Sequence, residues 1–411
     1  MIDVNEKVIN GEINGYYEPK FEQVLKEFIQ NFQQRDEVGA SICIKIEGET
    51  VVDLWGGQAD PKKNKPWDKD TVSIIFSCTK AAVALCAHML IDQGKLELNT
   101  PVTDYWPEFG KNGKENITVA MMLNHSAGLP AFREPIKKGG FADWEYMVHR
   151  LEEEAPFWEP GTRNGYHMIS FGWTVGELIR RASGQSLGTF FKENVAAPLE
   201  LDYWIGLPEE VEPRVAPIML SKYVIGDPLP EFMQALLTKP ESISSLSLMN
   251  TGRFMVNDLR YSAAEIGGAG GVSNARGIAG MFAPLACDGS LNGVKLVSKD
   301  TITRMSQVSM ATQQDLTLLI PSRFALGFMK AVDNRHRSYE NESLIIGEKA
   351  FGHAGAGGSL GFADPECRLS FAYTMNRQGH GIMINHRGQS LVDACYQALG
   401  YRSDKGGIWA Y

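Results

Sequence analysis

The chain contains no run of about 20 consecutive apolar residues, so no membrane-spanning helix is expected. Cysteine is scarce and scattered. Cys43, Cys78, Cys86, Cys287, Cys367 and Cys395 show no C-x-x-C spacing, which argues against a zinc site and against a disulfide framework. No histidine pair has the H-E-x-x-H spacing of a metalloprotease helix, and neither a metal nor a cofactor is expected. Long basic runs are missing as well, and with a net charge of −9 the chain is a poor partner for nucleic acid or an anionic membrane. The opening residues, Met1-Ile2-Asp3-Val4-Asn5-Glu6-Lys7, lack the charged-then-apolar pattern of a secretory signal, and a cytoplasmic location is expected. Internal repeats and low-complexity tracts are also absent.

What is present is the composition of a soluble globular protein, 44% hydrophobic and 22% charged. At 411 residues the chain exceeds one ordinary core, and two domains or subdomains are expected. Residues 19–34 place Phe21, Val24, Leu25, Phe28, Ile29 and Phe32 on one helical face. Gly39 to Leu54 reads as two strands about a turn at Glu47-Gly48-Glu49, and residues 56–70 read as loop. From Ser77 to about Arg260 helical signals dominate, with helices expected over 81–93, 141–155 and 170–183; residues 208–250 carry mixed signals and are expected to wall a pocket. After Gly267-Gly268-Ala269-Gly270-Gly271 a helix is expected from Ala275 to Cys287. Strand-like runs follow at Phe324 to Lys330, Ser343 to Ile346, Leu369 to Met375 and Gly381 to Asn385, then a helix from Gly388 to Leu399. The economical architecture is α/β of the α+β type: an antiparallel sheet from both termini (1–75 and 265–411) flanked by helices, with a mainly helical insertion over 76–264.

One stretch carries chemistry. Ser77-Cys78-Thr79-Lys80 follows the apolar run Val72-Ser73-Ile74-Ile75-Phe76, opens the helix that Gly94 ends, and is the one place where Lys stands three residues after Ser. Residues three apart share a helix face, so Ser77 and Lys80 stand side by side at the first turn. The positive end of the helix disfavours an ammonium there, and a desolvated Lys80 can be a neutral base. Unpaired N–H groups of that turn can hold an oxyanion at Ser77. Cys78 lies about 100° further round and is read as packing.

Two further sites support it. Trp158-Glu159-Pro160-Gly161-Thr162-Arg163-Asn164-Gly165-Tyr166-His167 places Tyr166 beside turns, where a tyrosinate near a lysine could accept a serine proton. Phe351-Gly352-His353-Ala354-Gly355-Ala356-Gly357-Gly358-Ser359 has the glycine density that lets backbone approach a ligand, and Ala356 could give a second oxyanion N–H. Gly357-Gly358-Ser359-Leu360-Gly361 also matches the G-x-S-x-G nucleophile elbow, but the helix that motif needs cannot run through Ala363-Asp364-Pro365. His88 is read as structural, His125 as a loop anchor and His149 as a surface residue.

With these three sites in this order, the chain resembles the serine β-lactamase and penicillin-binding-protein superfamily, most of all class C β-lactamases and family VIII carboxylesterases. Ser77-Cys78-Thr79-Lys80 matches the S-x-x-K motif, and Leu123-Asn124-His125-Ser126-Ala127-Gly128-Leu129 is similar to the L-x-H-x-S-G-L segment. Pro160-Gly161 followed by Tyr166 matches P-G…Y, and His353-Ala354-Gly355 falls on K-T-G. The resemblance implies Ser77 as acylated nucleophile, Lys80 and Tyr166 as shared general base and acid, and the N–H groups of Ser77 and Ala356 as oxyanion hole. It implies substrate-binding positions at His353, Gly355, Met168 and His125, and no cofactor. Two departures matter. Met168 stands where β-lactamases carry the Asn that binds the lactam side chain, and His353, mostly uncharged near neutral pH, replaces the carboxylate-binding lysine. The expected activity is a carboxylesterase acting on a small-molecule ester, with room for weak lactamase activity. A β-lactamase, D-aminopeptidase or acyl transferase using the same site, or a silent scaffold, stands as the alternative. The acyl chain length and the oligomeric state are left open.

Overall fold

The structure, a computed structural model, describes residues 1–221, 229–337, 342–381 and 383–411. Strands from both ends of the chain meet in one antiparallel sheet. The N-terminal part gives Ile2–Val8 (β1), Gly11–Tyr17 (β2), Gly39–Ile46 (β3) and Glu49–Asp60 (β4); the C-terminal part gives Phe351–Ala354 (β5), Leu360–Asp364 (β6) and Leu369–Met375 (β7). The order is β1-β2-β4-β3-β7-β6-β5, with the short strand Lys65–Pro66 beside β4. The two chain ends join at β3 and β7, where Ile42 faces Tyr373, Cys43 faces Ala372 and Ile44 faces Phe371.

Alternation along these strands sorts large from small residues. Ile42, Ile44, Phe371 and Tyr373 bury one face under helix Glu22–Gln34 (α1) and the C-terminal helix His386–Ala398. The opposite face carries the smaller Cys43, Ala363 and Ala372, and helix Ala275–Ala286 lies on it. The Ser370 hydroxyl donates to the Ala279 carbonyl of that helix at 2.9 Å. Asn274 caps the helix by accepting from the Gly277 N–H at 2.9 Å.

Helices fill most of the chain between Ser77 and the return to the sheet. Thr79–Asp92 (α2) is buried from Thr79 through Leu90, as a helix apolar on all sides must be, and packs against Phe171–Ser183. It ends in a Schellman turn: the Gly94 N–H donates to Ile91 at 3.0 Å and the Lys95 N–H to Leu90 at 2.8 Å, with Gly94 at φ +70°. Short strands Ser73–Ile74, Val272–Ser273 and Tyr203–Trp204 form a small sheet that fastens the chain just before Ser77. Among the described residues no helix is long and apolar enough to cross a membrane.

Several expectations need correction. The β1–β2 hairpin was not anticipated, because it lies at the sheet edge and β1 buries only Val4. The loop expected over 56–70 begins later, since β4 runs on to Asp60. Gly57 is what permits this: it sits at φ +79°, and a Cβ there would lie 2.0 Å from the Val38 carbonyl oxygen. Phe324 to Lys330 is not one strand; only Ser322–Phe324 is, and Met329 makes an isolated bridge to Gly352. Ser343 to Ile346 holds a single bridge, Leu344 to Val332. The described part of Gly381 to Asn385 is not a strand, and Ile382 lies outside the described residues. Within 208–250, residues 222–228 also lie outside them; the rest contains helices Glu231–Thr238 and Ile243–Met249.

Candidate active site

Ser77 sits in a single 3-10 turn, Phe76–Cys78, between the small sheet and α2. Phe76 lies at φ +49°, a strained position for a bulky residue and a common mark of a functional turn. The turn is braced by Thr79, whose hydroxyl donates to the Phe76 carbonyl at 2.6 Å and accepts from the Gly271 N–H at 2.9 Å. One turn on, Lys80 Nζ lies 3.0 Å from Ser77 Oγ and 2.6 Å from the carbonyl oxygens of both Met168 and Gly268. Lys80 is fully buried, and that burial, with no carboxylate opposing it, pushes its pKa well below the ordinary 10.5. A neutral amine has two N–H donors and one lone pair. Two carbonyls and one serine hydroxyl match that set.

Tyr166 reaches the same point from an irregular segment clamped on both sides. The Gly161 N–H donates to Ser126 at 2.9 Å, the Gly165 N–H to the His125 carbonyl at 3.2 Å, and the His167 N–H to His125 Nδ1 at 3.2 Å. The Tyr166 N–H is held by the buried Asp315 carboxylate, at 3.0 and 3.1 Å from its two oxygens. Tyr166 lines the same cavity as Ser77, its ring stacks on Phe324 with centroids 5.7 Å apart, and Lys80 Nζ lies 4.7 Å from the ring centroid. Burial raises the phenol above its ordinary value of 10, so Tyr166 stands as the phenol.

Ala356 lies in the turn between β5 and β6. Among the described residues, neither its N–H nor that of Ser77 donates to a backbone carbonyl, and both residues line one cavity of about 230 Å³. Met168, Phe232, Met233, Leu248, Leu318 and Met329 supply most of its apolar wall, and no described wall residue is charged. Part of the 208–250 stretch thus does form pocket wall.

Of the four expected substrate-binding residues, Met168 reaches this cavity; His353, Gly355 and His125 stand one layer behind it. His353 is fully buried on β5. Its Nδ1–H donates to the Ala354 carbonyl at 2.7 Å, leaving Nε2 as an acceptor 3.5 Å from the Tyr166 hydroxyl. Burial, with Lys80 nearby, pushes its pKa down to about 3, so the position holds no cation. Gly355 packs where a Cβ would meet the Ser359 hydroxyl at 2.1 Å and the Ile75 carbonyl at 2.4 Å, so its lack of a side chain lets β5 approach the nucleophile turn. His125, buried at φ +66°, packs its ring 5.0 Å from that of Tyr166 and anchors the loop.

The competing serine is committed elsewhere. Ser359 is buried, donates to the Ile75 carbonyl at 3.0 Å, and is followed by strand β6 instead of a helix. The Cys78 thiol, pushed up to about 12 by burial, donates to the His353 carbonyl at 3.2 Å. His88 is buried in α2 with Nε2 2.8 Å from the Leu326 carbonyl, and His149 is exposed on helix Trp144–Glu153. Among the described residues no cluster could hold a metal ion.

The sequence profile of the beta-lactamase family matches residues 23–390. The chain belongs to the beta-lactamase family. Esterase/beta-lactamase LipL of Mycobacterium tuberculosis is 31% identical over 91% of this chain and 85% of that protein. A crystal structure of a family VIII carboxylesterase superposes with a TM-score of 0.83 at 36% identity, covering 94% of this chain and all of that one, 100%. A penicillin-binding-protein homologue from Caulobacter crescentus superposes with a TM-score of 0.81 at 34% identity, over 94% of this chain and 99% of its own. This beta-lactamase family member is a serine hydrolase by that relationship, and its α+β fold is the family's.

Sequence reasoning missed three members of the site. Asp315 accepts from the N–H groups of Tyr166, Thr317 and Leu318 and from the Ser322 hydroxyl, and so fixes the backbone of Tyr166. Gly268 contributes a carbonyl to Lys80, and His167 locks the Tyr166 segment by accepting from the Leu129 N–H at 3.0 Å. Asp315-Leu316-Thr317 has the local form of an Asx turn, but only the tertiary contact connects it to Tyr166.

Proposed function

We propose that the protein is a serine carboxylesterase that passes through an acyl-enzyme on Ser77. The observation that carries this reading is a serine hydroxyl beside a buried amine whose pKa burial drives well below that of an ordinary lysine, opening into a cavity whose described walls bear no charge. Neutral Lys80, with its N–H groups held by Met168 and Gly268, takes the Ser77 proton as Oγ attacks the ester carbonyl. The Ser77 and Ala356 N–H groups receive the oxyanion, where a single such donor is worth on the order of 2.7–4 kcal/mol of barrier. The C–O bond to the alcohol then breaks. Tyr166 donates its phenolic proton to the departing alkoxide and regains one from Lys80, so the enzyme returns to neutral charge with Ser77 acylated. Water attacks the acyl carbon in the second half, giving its proton back along the same path and releasing the acid.

The uncharged His353 and the apolar Met168 support esters over anionic lactams, since no cation at these positions pairs with a lactam carboxylate. A weaker lactamase activity of the same acyl-enzyme agrees with the double name of the M. tuberculosis relative. The test is side-by-side turnover of p-nitrophenyl butyrate and nitrocefin, with fluorophosphonate labelling read by intact mass. Faster ester turnover and one label lost in Ser77→Ala are expected. Faster nitrocefin turnover, or no label on the wild type, overturns the reading.

A further inference from the structure

A second, polar cleft of about 330 Å³ adjoins the cavity at Ser77, and the two share Ser221, Gln378 and Gly379 as walls. Arg35, Arg377 and Arg387 line this cleft together with Asp36. Two of the three guanidinium groups are committed. Arg35 donates to Asn31 at 2.9 Å and Ser390 at 2.8 Å and pairs with Glu27 at 2.8 Å. Arg387 donates to Glu37 at 2.9 Å, and its other arm donates to the Arg377 carbonyl at 2.7 Å.

Arg377 differs. Its Nε is buried and makes no hydrogen bond of good geometry; the acceptor beside it is Asp36 Oδ2. Among the described residues its ion-pair partner is Asp36, at 3.3 Å and 80% exposed, a pairing that water weakens to little. Buried donors are nearly always satisfied, and one that faces only a poorly aligned, exposed carboxylate can take a better-placed acceptor in the cleft. The backbone around it is rigid: the Gln378 N–H donates to Met219 at 2.9 Å and the Met219 N–H to Asn376 at 2.7 Å. The next residue, Gln378, donates from Nε2 to the Ala356 carbonyl at 3.3 Å, which connects the cleft to the oxyanion turn.

We infer that Arg377 binds a carboxylate on one half of the ester, while the uncharged half occupies the cavity at Ser77. A guanidinium fork presents two parallel N–H groups that a carboxylate matches bidentately, and its planarity means that little entropy is lost per hydrogen bond formed. The preferred substrate class is then the acid-bearing ester, such as a half-ester of a dicarboxylic acid or an ester of a carboxylate-bearing alcohol. The inference rests on the esterase reading, and its test separates the two.

Wild type and Arg377→Gln are assayed with p-nitrophenyl butyrate, p-nitrophenyl hemiglutarate and 4-carboxyphenyl butyrate. The neutral ester reports the Ser77 chemistry alone, and its failure to turn over in the wild type would sink the esterase reading. The expected result is kcat/KM about tenfold lower in the variant for one acid-bearing ester, through KM, with the neutral ester unchanged. The ester that responds identifies which half carries the acid. Equal effects on all three esters, or none on either acid-bearing one, overturn the inference.

Discussion

Replacing Lys80 by arginine tests the uncharged amine directly. Lysine can lose its proton when desolvated; a guanidinium cannot. At position 80 the side chain is fully buried, its partners are two carbonyls and a hydroxyl, and no carboxylate offsets a charge. An uncompensated buried charge costs on the order of 3–5 kcal/mol, and Lys80→Arg should lose that much stability in urea unfolding. Turnover of p-nitrophenyl butyrate should fall by about 10²–10⁴-fold, the usual worth of a positioned base. Lys80→Met is the control. It should be as inactive, yet its stability cost is different in kind: about 1–3 kcal/mol for each carbonyl left without a donor. The wild type adds a pH test. The folded-state pKa of Lys80 is depressed, so its contribution to stability is present above the unfolded value of 10.5 and declines as pH falls towards the folded one. Activity should hold through that range and drop only as pH falls through the folded value, because the protonated amine cannot take the Ser77 proton. An arginine variant that keeps wild-type stability and more than a tenth of the activity would refute the argument, since Lys80 would then be working as a cation.

Tyr166→Phe keeps the stack on Phe324 and removes only the hydroxyl, so kcat should fall by about 10²–10⁴-fold while circular dichroism and fluorophosphonate-free thermal unfolding change little. Asp315→Asn keeps the shape of the group that holds the Tyr166 N–H but removes its charge; a displacement of Tyr166 should lower kcat about tenfold with KM nearly constant, and unaltered kcat would show Asp315 to be structural only. Ser359→Ala should leave active-site labelling intact and cost about 0.5–1.5 kcal/mol in urea unfolding for one lost hydrogen bond, since the Ile75 carbonyl still accepts from the Cys78 N–H; loss of labelling there would reassign the nucleophile.

Position along the chain made some of this readable and left the rest hidden. Ser77 and Lys80 were legible because a helix fixes the distance between residues three apart, and Gly94 was legible because it ends that helix in the left-handed conformation. The strands β3 and β7 were legible from alternation. The hairpin β1–β2 was not, since an edge that buries one residue on its first strand carries almost no hydrophobic period. Asp315 is separated by 149 residues from the N–H it holds, and nothing local to either predicts the pairing.

The amino-acid sequence by itself determined that a serine and a lysine stand one helical turn apart at Ser77 and Lys80 and that a histidine occupies position 353, because side-chain identity and helical spacing are local properties. Tertiary structure alone decided that Lys80 is buried with its pKa driven well down, that Tyr166 and Ser77 line one cavity, and that Arg377 lines a polar cleft beside it. Those follow from burial and from which distant backbone groups converge, and desolvation exists only once the chain has closed around the group.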